Sequence, residues 1–270
     1  NTVVYLFETS PHLRQIQANR LGDANIIFHS ENSALPPSPL FAIANEFFDA
    51  LPIDQAVWRS AIPDSSIGAW HHRLVGLLDG RLGFVDGDPL DNASLDTWQL
   101  FNPPSDTVSG RGKIAEYCAT GETIMTQLSS HIATYGGACL IIDYGCDGQT
   151  GDSLQAVANH KPVDAFYQPG AADLSHWVDF SALRRAAITA GARLIGPVTQ
   201  GNFLREIGIV QRAEAAAKFA DTKTRRGLFA AVDRLISNQH MGSAFKVALL
   251  VPKGDGVPPG FTTLMDREAV

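Results

Sequence analysis

The sequence predicts an α/β protein built on a mainly parallel sheet that helices cover on both faces. Two observations predict this class. Short apolar runs of the buried-strand type alternate along the chain with amphipathic stretches of helical length. The 270 residues are 45% hydrophobic, which is enough for the core of one large domain.

Each predicted strand is a short apolar run bounded by turn residues: Val3–Phe7, Ile26–Phe28, Leu40–Ala44, Ala138–Ile142, Arg193–Gly196 and Phe245–Val251. Amphipathic periodicity predicts helices over residues 11–20, 113–135 and 181–190, and two more within 203–239. The first helix has the best local signal, because Ser10 is a good N-cap and Pro11 suits the first helical position.

Two segments depart from this alternation. For residues 54–112 we predict antiparallel strands that lie outside the main sheet. Asp79-Gly80 joins two apolar runs there, and this dipeptide favours a tight hairpin. Residues 143–180 are polar and irregular, and a connection of that length in a compact domain is usually functional. We therefore expect one domain over residues 1–270 that carries these two insertions.

Composition disfavours several classes of function. A net charge of -7 disfavours a nucleic-acid partner, because phosphate backbones are repelled. Three cysteines without metal-ligand spacing favour a reducing compartment and predict no metal site. The sequence contains no apolar run near the roughly 18 residues of a spanning helix, so we expect no membrane span.

Glu8 follows the first predicted strand. Ligands of open α/β sheets bind beyond the carboxyl ends of the strands, where an acid can accept both hydroxyl hydrogens of a ribose. The alternative is an exposed acid that the neighbouring helix dipole stabilises.

The segment Asn45–Pro52 is the most informative local feature. If a helical turn follows the strand, Glu46 and Asp49 share one face at i and i+3. Two carboxylates so placed can hold a guanidinium through charge-assisted hydrogen bonds, which makes them candidate catalytic residues. The alternative is that Asn45 and Asp49 only form a turn while the phenylalanines between them fill the core.

Further polar residues follow the next strand and occupy the long polar segment. Asp143 and Tyr144 end a strand at the edge where we expect Asn45, although, taken alone, they are better explained by a simple strand-terminating turn. His160, Asp173 and His176 are candidates for a substrate-binding wall or a proton acceptor. The alternative for each histidine is a structural hydrogen bond.

Taken together, the motifs resemble one known family along nearly the whole chain. They are Phe7-Glu8-Thr9-Ser10-Pro11, Asn45-Glu46-Phe47-Phe48-Asp49-Ala50-Leu51-Pro52, Ile142-Asp143-Tyr144-Gly145, Gly151-Asp152-Ser153-Leu154-Gln155-Ala156, Val178-Asp179-Phe180 and Thr199-Gln200-Gly201-Asn202-Phe203-Leu204. The family is that of the mitochondrial complex I assembly methyltransferase (the MidA family) and its bacterial relatives.

The resemblance implies a Rossmann-like class I methyltransferase sheet whose last strand is antiparallel, with S-adenosyl-L-methionine as cofactor. It implies cofactor contacts from Glu8, Ser10 and Asn45, and catalytic roles for Glu46 and Asp49. The glycine-rich cofactor turn of this fold is expected upstream of Asn1.

The same resemblance implies a protein arginine as methyl acceptor, on a respiratory complex subunit for the mitochondrial member. The expected location is a bacterial cytoplasm, or the mitochondrial matrix in a eukaryote; a homodimer is left open. Two other classes also stay open: a nicotinamide-dependent oxidoreductase, and a non-catalytic assembly protein that retains the fold.

Overall fold

The computed structural model describes residues 3–8, 10–22, 26–29, 35–60, 68–100, 114–148, 151–254 and 256–262. They belong to two compact units, Asn1–Ser38 and Pro39–Val270. Among these residues, no helix combines the length and the apolar character needed to cross a membrane.

The N-terminal unit is a strand-helix-strand motif. Its elements are β1 (Val4–Phe7), α1 (Pro11–Leu21) and β2 (Ile26–His29). The two strands pair in parallel, as the sequence predicts. Ser10 caps α1 by accepting a hydrogen bond from the Leu13 N–H at 3.3 Å, and Pro11 begins the helix. The helix ends at Gly22, whose φ of 54° suits a residue without a Cβ atom.

The C-terminal unit carries the remaining described elements. Its strands are β3 (Leu40–Asn45), β4 (Asp54–Ser60), β5 (Gly68–Leu78), β6 (Arg81–Pro89), β7 (Ile114–Tyr117), β8 (Gly137–Cys146), β9 (Gln155–Ala158), β10 (Lys161–Val163), β11 (Asp173–Ser175), β12 (Val178–Asp179), β13 (Ala192–Thr199) and β14 (Phe245–Pro252). Its helices are α2 (Asn92–Trp98), α3 (Ala119–Tyr135), α4 (Phe180–Thr189), α5 (Gln200–Glu206), α6 (Ile209–Ala217), α7 (Thr222–Ile236) and α8 (Met241–Ala244).

The main sheet of this unit is centred on β8. β3 runs parallel to it, and β12 pairs in parallel with its last two residues. β14 lies between β8 and β13 and is antiparallel to both. This mixed sheet, with an antiparallel last strand, confirms the predicted fold class.

Apolar clusters lie on the main sheet. Met125 and Ile132 of α3 are buried together with Ile141 of β8 and Phe180 and Leu183 of α4. A second cluster joins Phe203 and Phe261 to β13 and β14. Burying one of these side chains stabilises the fold by about 1.5–3 kcal/mol. The packing of α3 and α4 on the sheet therefore fixes the positions of the strands.

A separate antiparallel sheet follows β3 along the chain, with the strand order β6-β5-β4-β7. Asp79 and Gly80 form the predicted tight turn, with φ angles of 50° and 78°, and Leu78 pairs directly with Arg81. Trp58 and Trp70 pack edge to face in its core.

The structure corrects three sequence predictions. The helix predicted over 113–135 begins at Ala119, because Ile114–Tyr117 pairs with β4 as a strand. The segment 143–180 is not irregular throughout: β8 runs on to Cys146, and β9 forms a three-stranded sheet with β10 and β11. Residues 203–239 hold α6, α7 and most of α5 rather than two helices.

Candidate active site

β3 ends in an exposed polar turn. Its burial alternates, so that Ala42 and Ala44 pack against the core while Asn45 is exposed. The next residue, Glu46, donates its N–H to the Ile142 carbonyl at 2.9 Å and adopts a φ of 47°. This left-handed conformation costs about 1–2 kcal/mol in a residue with a Cβ atom, so the surrounding contacts must impose it. The Asn45 amide donates to the Glu46 carboxylate at 3.3 Å, and both side chains face solvent.

Asp143 of β8 imposes the turn. Its Oδ2 accepts hydrogen bonds from three successive backbone N–H groups, those of Phe47 at 3.2 Å, Phe48 at 3.0 Å and Asp49 at 3.3 Å. Its Oδ1 accepts from the Tyr144 N–H at 3.0 Å. Successive N–H groups that converge on one anion form a nest, which fixes the backbone path.

The Asp143 carboxyl is completely buried. Burial, reinforced by the charge of Asp49, raises its pKa from 3.8 to about 7, although the backbone N–H groups favour the ionised form. Asp143 therefore lies beneath the turn as its anchor, and a direct contact between Asp143 and a substrate stays a prediction.

Asp49 lies on the inner side of the turn and is only 6% exposed. Its Oδ1 is buried without a hydrogen-bond partner. Burial, followed by the neighbouring Asp49 carboxylate, raises the pKa of Tyr144. The Asp49 carbonyl accepts the His176 N–H at 3.0 Å, so the turn is also tied to the segment after β11.

Glu46 and Asp49 do not share a helical face, because no helical turn follows β3. The left-handed Glu46 reverses the chain direction, which leaves Glu46 exposed and takes Asp49 into the interior. A catalytic role stays a prediction for both residues, although Glu46 is exposed and Asp49 is buried.

The predicted acceptor-side residues occupy two different places. His176 is buried at 4% exposure, next to Asp49. His160, with a φ of 59°, and Asn159 form the turn between β9 and β10, and Asp173 begins β11; both His160 and Asp173 are exposed. The structure thus brings Asp143, Tyr144 and His176 to the turn after β3, whereas His160 and Asp173 belong to the three-stranded sheet.

Glu8 and Ser10 belong to the N-terminal unit. The Glu8 carboxylate accepts the Ser10 N–H at 2.8 Å and the Gln17 side-chain amide at 3.3 Å. These bonds hold it at the carboxyl end of β1, and each oxygen keeps a lone pair for a further donor. A half-buried acid held in this way fits the ribose of a nucleoside cofactor. The Ser10 hydroxyl, by contrast, is used in capping α1.

Sequence reasoning missed Glu116, which is buried on β7. Its Oε1 accepts from the Gln55 side-chain amide at 2.8 Å and from the Ser153 N–H at 2.9 Å, and its Oε2 accepts from the Ser153 hydroxyl at 2.5 Å. It ties the antiparallel sheet to the segment after β8. The available signal was a charged residue between apolar neighbours in the short run Ile114–Tyr117.

The described residues contain no group of three or more histidine, cysteine or carboxyl side chains arranged to hold a metal ion.

Two solved structures of COG1565 superfamily proteins from Burkholderia thailandensis resemble the chain. Their TM-scores are 0.77 and 0.74 at 26% and 25% identity; each likeness covers 96% of this chain and 68% or 66% of the other. The second structure contains bound S-adenosyl-homocysteine.

Curated relatives include mitochondrial proteins named protein arginine methyltransferase NDUFAF7. The Xenopus tropicalis protein is 32% identical over 97% of this chain and 64% of its own length. The Danio rerio protein is 32% identical over 90% of this chain and 60% of its own length. The chain thus spans less than two thirds of the length of these relatives.

The family model for S-adenosyl-L-methionine-dependent methyltransferases, Methyltransf_28, matches residues 1–198. This match and the relatives confirm the resemblance that the motifs predict. The chain belongs to this family of S-adenosyl-L-methionine-dependent methyltransferases.

Proposed function

We propose that the protein transfers a methyl group from S-adenosyl-L-methionine to a guanidine nitrogen of an arginine side chain on another protein. The observation that carries the proposal is the turn after β3, where the buried Asp143 fixes the backbone and Glu46 faces solvent. Relatives named protein arginine methyltransferases support the acceptor class.

The cofactor is assigned to residues that fit it. Glu8 would hold the ribose through its free lone pairs, and the exposed Asn45 amide offers a donor and an acceptor at the end of β3. Ser10 would act mainly through its backbone N–H, which holds the Glu8 carboxylate. When bound, S-adenosyl-L-methionine supplies an electrophilic methyl group on a sulfonium.

Glu46 would bind the acceptor guanidinium. A carboxylate pairs with two guanidinium nitrogens at once, so the third nitrogen stays free and has a defined direction. Holding a reactant in one orientation lowers the barrier because the entropy of alignment is lost on binding rather than in the reaction. The Asn45 amide bond restricts the Glu46 carboxylate before any substrate arrives.

Asp49 would act as a positioning residue. Its burial and its place beside Tyr144 support an indirect role, in which it sets the position of that phenol at the carboxyl end of β8. Tyr144, His160, Asp173 and His176 remain proposed contacts for the protein substrate.

The identity of the protein substrate and the cellular location are also proposals. A subunit of respiratory complex I is the proposed substrate, based on the family that the motifs resemble. The mitochondrial names of the relatives support the mitochondrial matrix for a eukaryotic protein, and we propose the cytoplasm for a bacterial one.

The test is cofactor binding by calorimetry together with methyl transfer to arginine-containing proteins. We expect Glu8→Ala to abolish binding. Glu46→Gln should preserve binding and reduce turnover by about 100-fold or more, because orientation of the acceptor is lost. Glu214→Gln, on the exposed side of α6, is the matched control and should change neither. Near-normal turnover in Glu46→Gln would exclude its proposed role. A protein that binds partners stably but transfers no methyl group would instead be a non-catalytic assembly protein.

A further inference from the structure

α7 is a two-sided helix at the periphery of the C-terminal unit. It packs against α5, α6 and α8. Leu228, Val232 and Leu235 follow one another at spacings of four and three residues, so they share one face, and all three are half-buried. None of the residues of α7 is fully buried. The opposite face of the helix therefore points away from the three helices that it contacts.

The outer face of α7 carries cationic side chains. Lys223, Arg226 and Arg234 recur at helical spacing and are all exposed. In the part of the chain that the structure describes, no carboxylate lies within ion-pair distance of these three cations. The acid of the same helix, Asp233, lies 3.9 Å from the His240 ring nitrogen. The three positive charges are therefore available to an external anion.

The turn between α6 and α7 presents an aromatic side chain to solvent. Phe219 is 95% exposed. Hydrogen bonds hold this turn: the Asp221 carboxylate accepts the Thr224 N–H at 2.7 Å, and the Arg225 guanidinium donates to the Ala217 carbonyl at 3.0 Å. The fold thus keeps a phenyl ring in water, and an apolar medium that covered the ring would stabilise it.

Positive charge is concentrated around this phenylalanine. Residues 212–234 contain six lysines and arginines and three acidic residues, a net charge of +3, whereas the whole chain carries -7. The rest of the chain therefore carries -10. An electropositive surface on an acidic protein attracts a polyanionic partner to that surface alone and so sets its orientation. Two copies of the same cationic face repel each other, which disfavours a symmetric dimer through it.

We propose that a basic patch, made of Lys218, Phe219, Lys223, Arg226 and Arg234, docks on an anionic lipid bilayer. Phe219 enters the boundary between headgroups and acyl chains, and the cations contact the anionic headgroups. A bilayer suits a single exposed ring because it accepts the ring without a preformed pocket. Its mobile headgroups also meet cations at any spacing. The inference does not depend on the proposed function.

The test is co-sedimentation of the protein with vesicles of phosphatidylcholine alone or of phosphatidylcholine with about 30% phosphatidylglycerol. We expect binding to the anionic vesicles only, and loss of that binding in about 0.5 M salt, which screens the charges. Lys223→Gln and Arg226→Gln should each weaken binding by about 5-fold, the contribution of one cation near an anionic surface. Phe219→Ser should weaken it by about 10-fold, because the apolar anchor is lost.

Two matched controls lie outside the basic patch. Lys161→Gln removes an exposed cation of β10, and Leu77→Ser removes a 71% exposed apolar side chain of β5. Both should leave vesicle binding unchanged, because the proposed contact depends on the patch rather than on charge or apolar surface in general.

Three results would overturn the inference. The first is equal binding to neutral and anionic vesicles, and the second is unchanged binding to anionic vesicles in all three patch variants. The third is binding of poly-L-glutamate without binding of vesicles, which would identify an acidic protein as the partner. The residues of the basic patch take no part in the candidate active site, so failure of the vesicle assay would leave the proposed methyl transfer intact.

Discussion

Replacing Asp143 with asparagine removes one buried charge and keeps most of the side-chain shape. The asparagine oxygen can still accept from the N–H groups of residues 47–49. Its NH2 group would then face the Tyr144 N–H, which is itself a donor. This half-buried N–H loses its partner, which costs about 1–3 kcal/mol.

The pH dependence of stability distinguishes the wild-type protein from the Asp143→Asn variant. Since the pKa of Asp143 rises from 3.8 to about 7 on folding, the folded state keeps the proton that the unfolded state releases between these values. The stability that Asp143 contributes is full below pH 4 and is lost as the pH rises towards 7. At about 1.4 kcal/mol per pH unit, the wild-type protein should lose about 2.5 kcal/mol between pH 5 and pH 8 through this group.

The assay is urea unfolding of the wild type and Asp143→Asn at pH 5 and pH 8, followed by far-ultraviolet circular dichroism. At pH 5 the variant should be less stable by about 1–3 kcal/mol, and by pH 8 the difference should shrink by about 2.5 kcal/mol. A difference that stays constant with pH, or grows, would show that Asp143 is ionised in the folded protein and would refute this reasoning.

Two paired substitutions test the packing around the site. Gly137→Ala should unfold the main sheet at 25 °C or nearly so, because the new Cβ would overlap the Leu40 carbonyl. Gly227 lies in open space on α7, so Gly227→Ala should stabilise the folded protein by up to about 1 kcal/mol. Ile132→Ala should lower the free energy of unfolding by about 2–5 kcal/mol, since Ile132 is fully buried. Ile188 is 56% exposed, so Ile188→Ala should change the free energy of unfolding by about 0.5 kcal/mol or less. Denaturant midpoints measure all four, and equal effects within either pair would contradict the packing described.

Short sequence motifs predict where a helix begins or a chain turns when that point depends only on neighbouring residues. Ser10 and Pro11 begin α1 where expected, and Asp79 and Gly80 form the expected turn, because caps and tight turns depend on short-range sterics and hydrogen bonds. Ile114–Tyr117 was predicted as the start of a helix. Its strand conformation comes from pairing with β4, a contact more than fifty residues away along the chain that no local periodicity can show.

The candidate site was predicted in position rather than in detail. The polar residues after β3 and β8 do meet at one sheet edge, as parallel pairing requires. The division of roles depends on burial, however. The positive φ of Glu46 decides that Glu46 faces solvent and Asp49 does not, and the burial of Asp143 makes it an anchor. These features follow from the tertiary packing, which the spacing of the carboxylates does not encode.

The anchoring of the turn by Asp143 has an evolutionary consequence. Its bonds go to the backbone N–H groups of residues 47–49, so these bonds do not depend on the side chains displayed at positions 45 and 46. The left-handed φ at position 46 disfavours only proline and β-branched residues there. Those positions can change while the scaffold below stays the same. Descendants of one ancestor could therefore diverge towards new acceptors by exchanging two surface residues. A library at these two positions that omits proline and β-branched residues at position 46 would explore that divergence with few losses to misfolding.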